Sequence, residues 1–479
     1  GGIAAATITN GVTQSVLGNP LNGGNNEVEV FDFAVAKVGQ FIQQSSVGQS
    51  SNGNVVGALF GGALSVGGGG VKMSVTNSNS LGIDVNELFA YEGGTFSTTG
   101  VIVMNSAITL GAETVARPLA GPIDFFTNGN LVGTSFGSIS ALGVQMNTSG
   151  TASQQNIVGI EDTIESGATA GDPVLSTINI GNSGIVMKDS GPGACLSQVL
   201  NYSNNAGSAI NVTGSVNVTD TGSGTSEFDI VADSVGSITV GGVNYDNHLN
   251  TTTFSNVAIL GNSPGNAHVT INGPLTIYLS QHVATPVVTA NSLLGGLFPT
   301  NNLVELGNVD GDSGTGYGLV VKLNTSITGS NGEDDVHIDA AQFNSWVNVD
   351  LKTNAAFIPA NPVLGVNTLG VGADYVDIEG SLFLNTATFT LAGDNAQIDI
   401  NNGTSIQTTT FTRQFSAIMK GASPVINISA GSAFGYGSVV FSIGGVAYGT
   451  LGAGGVINYN PLNVSGSFVG YNFTKVQVP

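Results

Sequence analysis

The sequence predicts an all-β chain with very little helix, wound as a β-solenoid, folded as β-sandwich segments, or both. Three observations carry this. Apolar and polar residues alternate with period two from end to end, as in Ile210-Asn211-Val212-Thr213, Val269-Thr270-Ile271-Asn272 and Ile426-Asn427-Ile428-Ser429, and period two is the repeat of a strand with one buried face. Gly-Asn, Asn-Gly, Gly-Ser and Asp-Gly pairs punctuate these runs and supply the positive φ that tight turns need. The chain is 41% hydrophobic with a mean hydropathy of +0.26, which excludes a disordered polar chain.

Taken in order, Ala5 to Thr9 reads as a strand that either caps its own domain or completes a neighbour's sheet. Val28 to Ile42 is a longer alternating stretch, and Gly61 to Gly70 is glycine-rich. Helical spacing of about two turns appears at Ile83 to Ala90 and at Asp339 to Val347. A boundary near 120 and a connector at Phe298-Pro299-Thr300-Asn301-Asn302 divide the chain into 1–120, 121–300 and 301–479. The last region carries a loose repeat. Gly332 to Asp339, Gly372 to Glu379 and Gly393 to Ile400 resemble one another, and Gly265 to Asn272 is an earlier relative. Their offsets lie near multiples of about 20–22 residues, a coil length common among solenoids. Each coil then stacks an inward Val or Ile on the next.

Only 8% of the residues are charged, roughly a third of the usual share. Nine Lys and Arg against 31 Asp and Glu give a net charge of −22. No basic patch for nucleic acid forms from so few cations, and anionic membrane surfaces are disfavoured. No apolar run reaches the ~18 residues of a membrane span. Gly1-Gly2-Ile3-Ala4 fits a chain whose signal peptide has been removed, hence an extracellular or cell-surface location. Cys195, the single cysteine, is either a small buried residue or an intermolecular partner. Sequons at Asn211, Asn217, Asn402, Asn427 and Asn472 permit glycans.

The chemical signals are acidic. Asn308, Asp310 and Asp312 alternate around Gly311, so their oxygens can converge on one hard cation such as Ca2+ or form a solvated turn. The spacing resembles the start of EF-hand-like and dockerin-like loops, without Glu at the twelfth position. Gly329-Ser330-Asn331-Gly332-Glu333-Asp334-Asp335-Val336 and Gly370-Val371-Gly372-Ala373-Asp374-Tyr375-Val376 resemble the RTX nonapeptide. That resemblance implies calcium at Asp334 and Asp374. Gly133-Thr134-Ser135-Phe136-Gly137 and Gly261-Asn262-Ser263-Pro264-Gly265 match G-x-S-x-G, but a nucleophile elbow needs a strand before and a helix after it. Gly311-Asp312-Ser313-Gly314 lacks the companion His and Asp motifs of a trypsin-like protease. The four histidines, His248, His268, His282 and His337, lack metal-ligand spacing and read as ordinary surface or core residues.

The composition resembles that of prokaryotic surface-layer, sheath and adhesin-type secreted β-proteins. It implies a non-enzymatic subunit that self-associates through β-structure, as a homo-oligomer or polymer. Three other readings stand beside it. An adhesin would show one exposed ligand pocket, a viral or phage fibre protein threefold packing, and a carbohydrate-active β-helix enzyme a carboxylate cluster in a cleft.

Overall fold

A computed structural model of the chain describes residues 5–17, 24–48, 52–77, 84–109, 128–161, 175–262, 267–281, 302–308, 316–330, 333–351, 374–402, 407–430 and 437–478. All of the regular structure in them is strand, and the paired strands run parallel. Parallel ladders between successive passes of the chain make a β-solenoid; the antiparallel pairing of a sandwich is not what these residues adopt. The chain forms two compact units, Gly1–Asn244 with Gly265–Val269, and Tyr245–Pro264 with Thr270–Pro479. The sequence-based boundaries near 120 and 300 fall at 110–127 and 282–301, outside the described residues.

In the first unit each turn of the coil gives two strands to one sheet and one to the other. Val35–Val38, Phe41–Gly48 and Asn52–Leu59 make one turn, and Ala63–Val66, Gly70–Asn77 and Val85–Tyr91 stack on them. Farther along, the first two strands fuse: Ser138–Ser149 pairs with both Thr95–Thr98 and Val101–Ile108. Ala5–Ile8 pairs in parallel with Val35–Val38 of its own chain, so on that side it caps its own sheet.

Inward residues form columns because the register places like on like. Ile42, Val71, Ile102, Val144, Ile185 and Val216 stack in order and are essentially inaccessible. Beside them Met73, Met104, Met146 and Met187 make a column of thioethers. A third column is polar. Asn26, Asn54, Asn86, Asn130 and Asn156 are all buried, and each of the first four donates through Nδ2 to the Oδ1 of the next at 2.8–2.9 Å. The second Nδ2 hydrogen goes to a backbone carbonyl across the coil, of Ser45, Ser74, Asn105 and Asn147 in turn. Buried amides are tolerated because both donors are used.

The second unit repeats the plan with a different filling. Asn302–Asn308, Asp334–Asp339, Tyr375–Glu379, Gln397–Ile400, Val425–Ile428, Gly455–Tyr459 and Phe473–Gln477 pair in sequence as one sheet. On the other sheet Phe343, Phe383, Phe411 and Phe441 occupy one column, with centroids 5.2, 4.8 and 5.3 Å apart and planes within 15°.

Two expectations are corrected. Neither helical stretch is helical. Residues 85–91 form a strand in which Asn86, Leu88 and Ala90 face inward, while Phe89 faces outward over Gly57, where a Cβ would meet the ring at 2.6 Å. That outward ring imitates helical spacing. Asp339 ends one strand, Ala340 turns at φ 47°, and Ala341–Phe343 begins the next; a helix cannot pass a left-handed residue of this kind. The repeat is real, since Val336, Val376 and Ile398 are direct register neighbours. Its 20–22-residue period fits one coil and not the other: the register partners Val336, Val376 and Ile398 lie 40 and then 22 residues apart. The Gly265 relative contributes its strand His268–Ile271 to the other sheet.

Candidate functional site

The second unit carries an acidic groove on the outer face of its Asn302–Asn308 sheet. Outward positions alternate along each strand, and the register aligns them into rows. Glu305, His337, Asp377, Asp399, Asn427 and Asn458 form one row. Gly307, Asp339 and Glu379 form the next. A groove of about 260 Å3 follows these rows, lined by Glu305, Asn308, His337, Asp339, Asp377 and Glu379 together with Leu260, Leu306 and Ile338. Gly307 shapes it: at φ +130 a Cβ there would lie 1.5 Å from the Asp339 carbonyl oxygen, so only glycine lets the two strands approach.

His337 Nδ1 lies 3.8 Å from Asp377 Oδ2, and its ring meets Tyr375 edge-on at 5.6 Å. The Asp377 partner raises the histidine pKa against the opposing effect of burial, helped by the charges of Asp335 and Glu305. Tyr375 donates its hydroxyl to Asp399 Oδ2 at 3.1 Å, and burial together with Asp377 and Asp399 pushes the phenol up. Asp399 also receives Gln397 at 2.9 Å and Asn427 at 2.7 Å. Amides thus occupy Asp399, whereas Glu305, Asp339, Asp377 and Glu379 line the open groove. Asp339 and Glu379 are ladder neighbours, roughly 5 Å apart by strand spacing, and Asp377 and Glu379 are two residues apart on one face, about 7 Å. These backbone spacings bring three carboxylate-bearing residues to neighbouring positions of one face.

The sequence-predicted cation ligands divide. Asn308 ends its strand at the groove and is buried. Asp310, Asp312 and Ser313 lie outside the described residues, as does Ser263. Asp334 and Asp374 are not on the surface but buried, Asp334 opening its strand beside Asn302 and Asp374 just preceding the strand Tyr375–Glu379. Asp334 Oδ1 accepts from Asn302 Nδ2 at 2.7 Å and Ser330 Oγ at 2.9 Å, and Oδ2 accepts from Ser330 N at 2.7 Å. Burial still pushes it up to about 6. Asp374 Oδ2 accepts from Ala392 N at 2.9 Å, while its Oδ1 is buried with no partner among the described residues. Burial, reinforced by the Asp334 charge, pushes Asp374 up to about 9. Among the described residues no group of three or more His, Cys, Asp or Glu is arranged to hold a metal.

Ser135 is buried at the end of Gly129–Ser135, and the next element is the strand Ser138–Ser149, so the strand-to-helix elbow a serine nucleophile needs is not formed there. No helix of the described residues is long and apolar enough to cross a membrane. Cys195 is buried, with Sγ 3.4 Å from Thr148 Oγ1. Sequence reasoning missed the groove, having read His337 as an ordinary residue. The signal lay in the repeat itself. Asp335-Val336-His337-Ile338-Asp339 and Tyr375-Val376-Asp377-Ile378-Glu379 each place polar residues at alternate positions, and stacking the copies superimposes them.

In comparisons with known proteins, no family model, curated protein or solved structure matches the chain.

Proposed function

We propose that this chain is a structural subunit of an extracellular assembly, a surface layer, sheath or filament, in which copies associate through their β-faces. The observation that carries this reading is the character of the outward rows. On the first unit Asn147 Nδ2 donates to Asn105 Oδ1 at 2.7 Å and Asn211 to Asn179 at 3.1 Å. On the second, Asn458 donates to Asn427 at 2.8 Å. These uncharged amide rows keep spare hydrogen-bonding capacity, and at 8% charged residues facing copies repel weakly. Calcium belongs to the proposal as counter-ion to the acidic excess, with Asn308, Asp310 and Asp312 as its candidate ligands; Asp334, whose oxygens go to Asn302 and Ser330, and Asp374, which burial keeps protonated, are not offered to it. A glycan at the exposed Asn472 would project from the assembly. Sedimentation and negative-stain imaging with calcium should show oligomers or polymers that chelation loosens. Monomer at every protein, salt and calcium concentration would end this reading.

A second reading is favoured by one observation, the carboxylate-lined groove. A carbohydrate-active solenoid would use it, with Asp339 and Glu379 as the acid and its partner. A screen of acidic and neutral polysaccharides tests it. Turnover lost in both Asp339→Asn and Glu379→Gln, with the fold intact, would establish the enzyme, and no turnover on any polymer would leave the structural reading in place.

A further inference from the structure

In the first unit, at a corner far in sequence from the groove, two aspartates stack. The register aligns Thr148, Asp189 and Asp220 on successive turns, each followed two residues later by glycine: Gly150, Gly191 and Gly222. Both carboxyls are buried, at 7% and 3% exposure. Asp189 Oδ1 accepts from Thr148 Oγ1 at 2.9 Å and from Gly191 N at 3.4 Å. Asp220 Oδ1 accepts from Gly222 N at 2.7 Å, the Ser226 hydroxyl also hydrogen-bonds this carboxylate, and Asp220 Oδ2 is buried with no hydrogen-bond partner among the described residues. A Cβ on Gly222 would lie 2.5 Å from Asp189 Oδ2 and 3.1 Å from Asp220 Oδ1, so the two groups are packed beneath that glycine. The titratable groups facing them are each other and Cys195. Among the described residues neither aspartate pairs with a cation.

We propose that Asp189 and Asp220 share one proton in the folded chain, so that this corner is a proton-dependent latch that tightens in acid and loosens as the solution becomes neutral. Two bare carboxylates at ladder spacing in a dry corner repel each other strongly. Asp189 Oδ1 is occupied by donors, which leaves Oδ2 to carry the proton and give it to the empty Asp220 Oδ2. The chemistry supports the geometry: burial, and next the Asp220 charge, push Asp189 from 3.8 up to about 7, and burial raises Asp220. The sign follows. The folded chain keeps a proton that the unfolded corner releases near pH 4, so folding is favoured below that range. The advantage is lost as pH rises through the folded value.

Hydrogen exchange of the intact protein, read by mass spectrometry over residues 189–193 and 220–224, tests this at pH 5 and pH 7 after correction for intrinsic exchange. Protection in the wild-type chain should fall by about tenfold per pH unit, the slope of a single proton. Asp220→Asn, whose amide supplies a permanent donor to Asp189, should remove that fall. Should it not fold, Asp189→Asn carries the same comparison. A wild-type ratio unchanged between the two pH values, or the same fall in the variants, overturns the latch.

Discussion

At the scale of single residues, buried asparagines decide as much as apolar side chains do. Asn86 sits mid-ladder with its Oδ1 taken by Asn54 and its two N–H groups given to Asn130 and the Asn105 carbonyl. Asn86→Ala strands the Asn54 donor and the Asn130 and Asn105 acceptors in a dry interior, and each buried unpaired group costs about 1–3 kcal/mol. We expect this substitution to lower stability by several times the effect of Asn211→Ala, whose partner is exposed; urea unfolding of the two variants checks it. The ladder was not legible in the sequence. Alternation marks which residues face inward, but asparagine is ordinarily a turn residue. Its inward role appears only once rungs 26 to 44 residues apart are brought together. Gly307→Ala belongs to this scale as well. The clash with the Asp339 carbonyl should disorder the groove wall, seen as faster amide exchange over residues 302–308 and 334–339.

At the scale of elements, strands were legible and their partners were not. Period-two runs such as Val376-Asp377-Ile378-Glu379 announced half-buried strands, and these are strands. What the local pattern lacks is register, because paired strands can be far apart in sequence, as Asp334–Asp339 and Tyr375–Glu379 are. The phenylalanine column depends on that register. Phe411 contacts Phe383 and Phe441 face to face and Phe415 edge-on, so Phe411→Ala opens a cavity between rigid neighbours. The expected cost is about 3–5 kcal/mol, measured by chemical denaturation, and Phe411→Leu should recover most of it. A different logic holds at Phe473–Gln477, a strand with one ladder partner among the described residues, Gly455–Tyr459. Lys475 aligns with the buried Ile457, and its Nζ donates to the Phe468 carbonyl. A charge in a core row disfavours pairing along an edge that no described strand covers. Lys475→Ile should therefore increase self-association in sedimentation, by a route distinct from the amide-row contacts.

At the scale of the whole molecule, acidity is the property that sequence and structure share, although only the structure shows where the acid is stored. The net charge of −22 was legible at once and suggested surface carboxylates awaiting counter-ions. Several are instead inside. Partial burial pushes Glu87 and Glu333, both half-buried on the outer faces, up to about 7; deeper burial pushes Asp189 there too, and Asp374 up to about 9. The folded chain therefore binds more protons than the unfolded chain across the neutral range, and stability falls with rising pH wherever that holds. The contribution is whole below the ordinary carboxylate range of about 4. It is lost through pH 7 for the first three groups and through about 9 for Asp374. Surface self-repulsion acts in the same direction but is screened by salt, whereas buried groups are screened little. Thermal melts followed by circular dichroism from pH 5 to pH 9, with chelator and at low and high salt, separate the two. We expect the melting temperature to fall steadily with pH and the fall to persist in high salt, with Asp374→Asn flattening its alkaline end. A melting temperature that is level across this range, or a fall that salt abolishes, would place the acid on the surface and count against the buried carboxyls as the source of the effect.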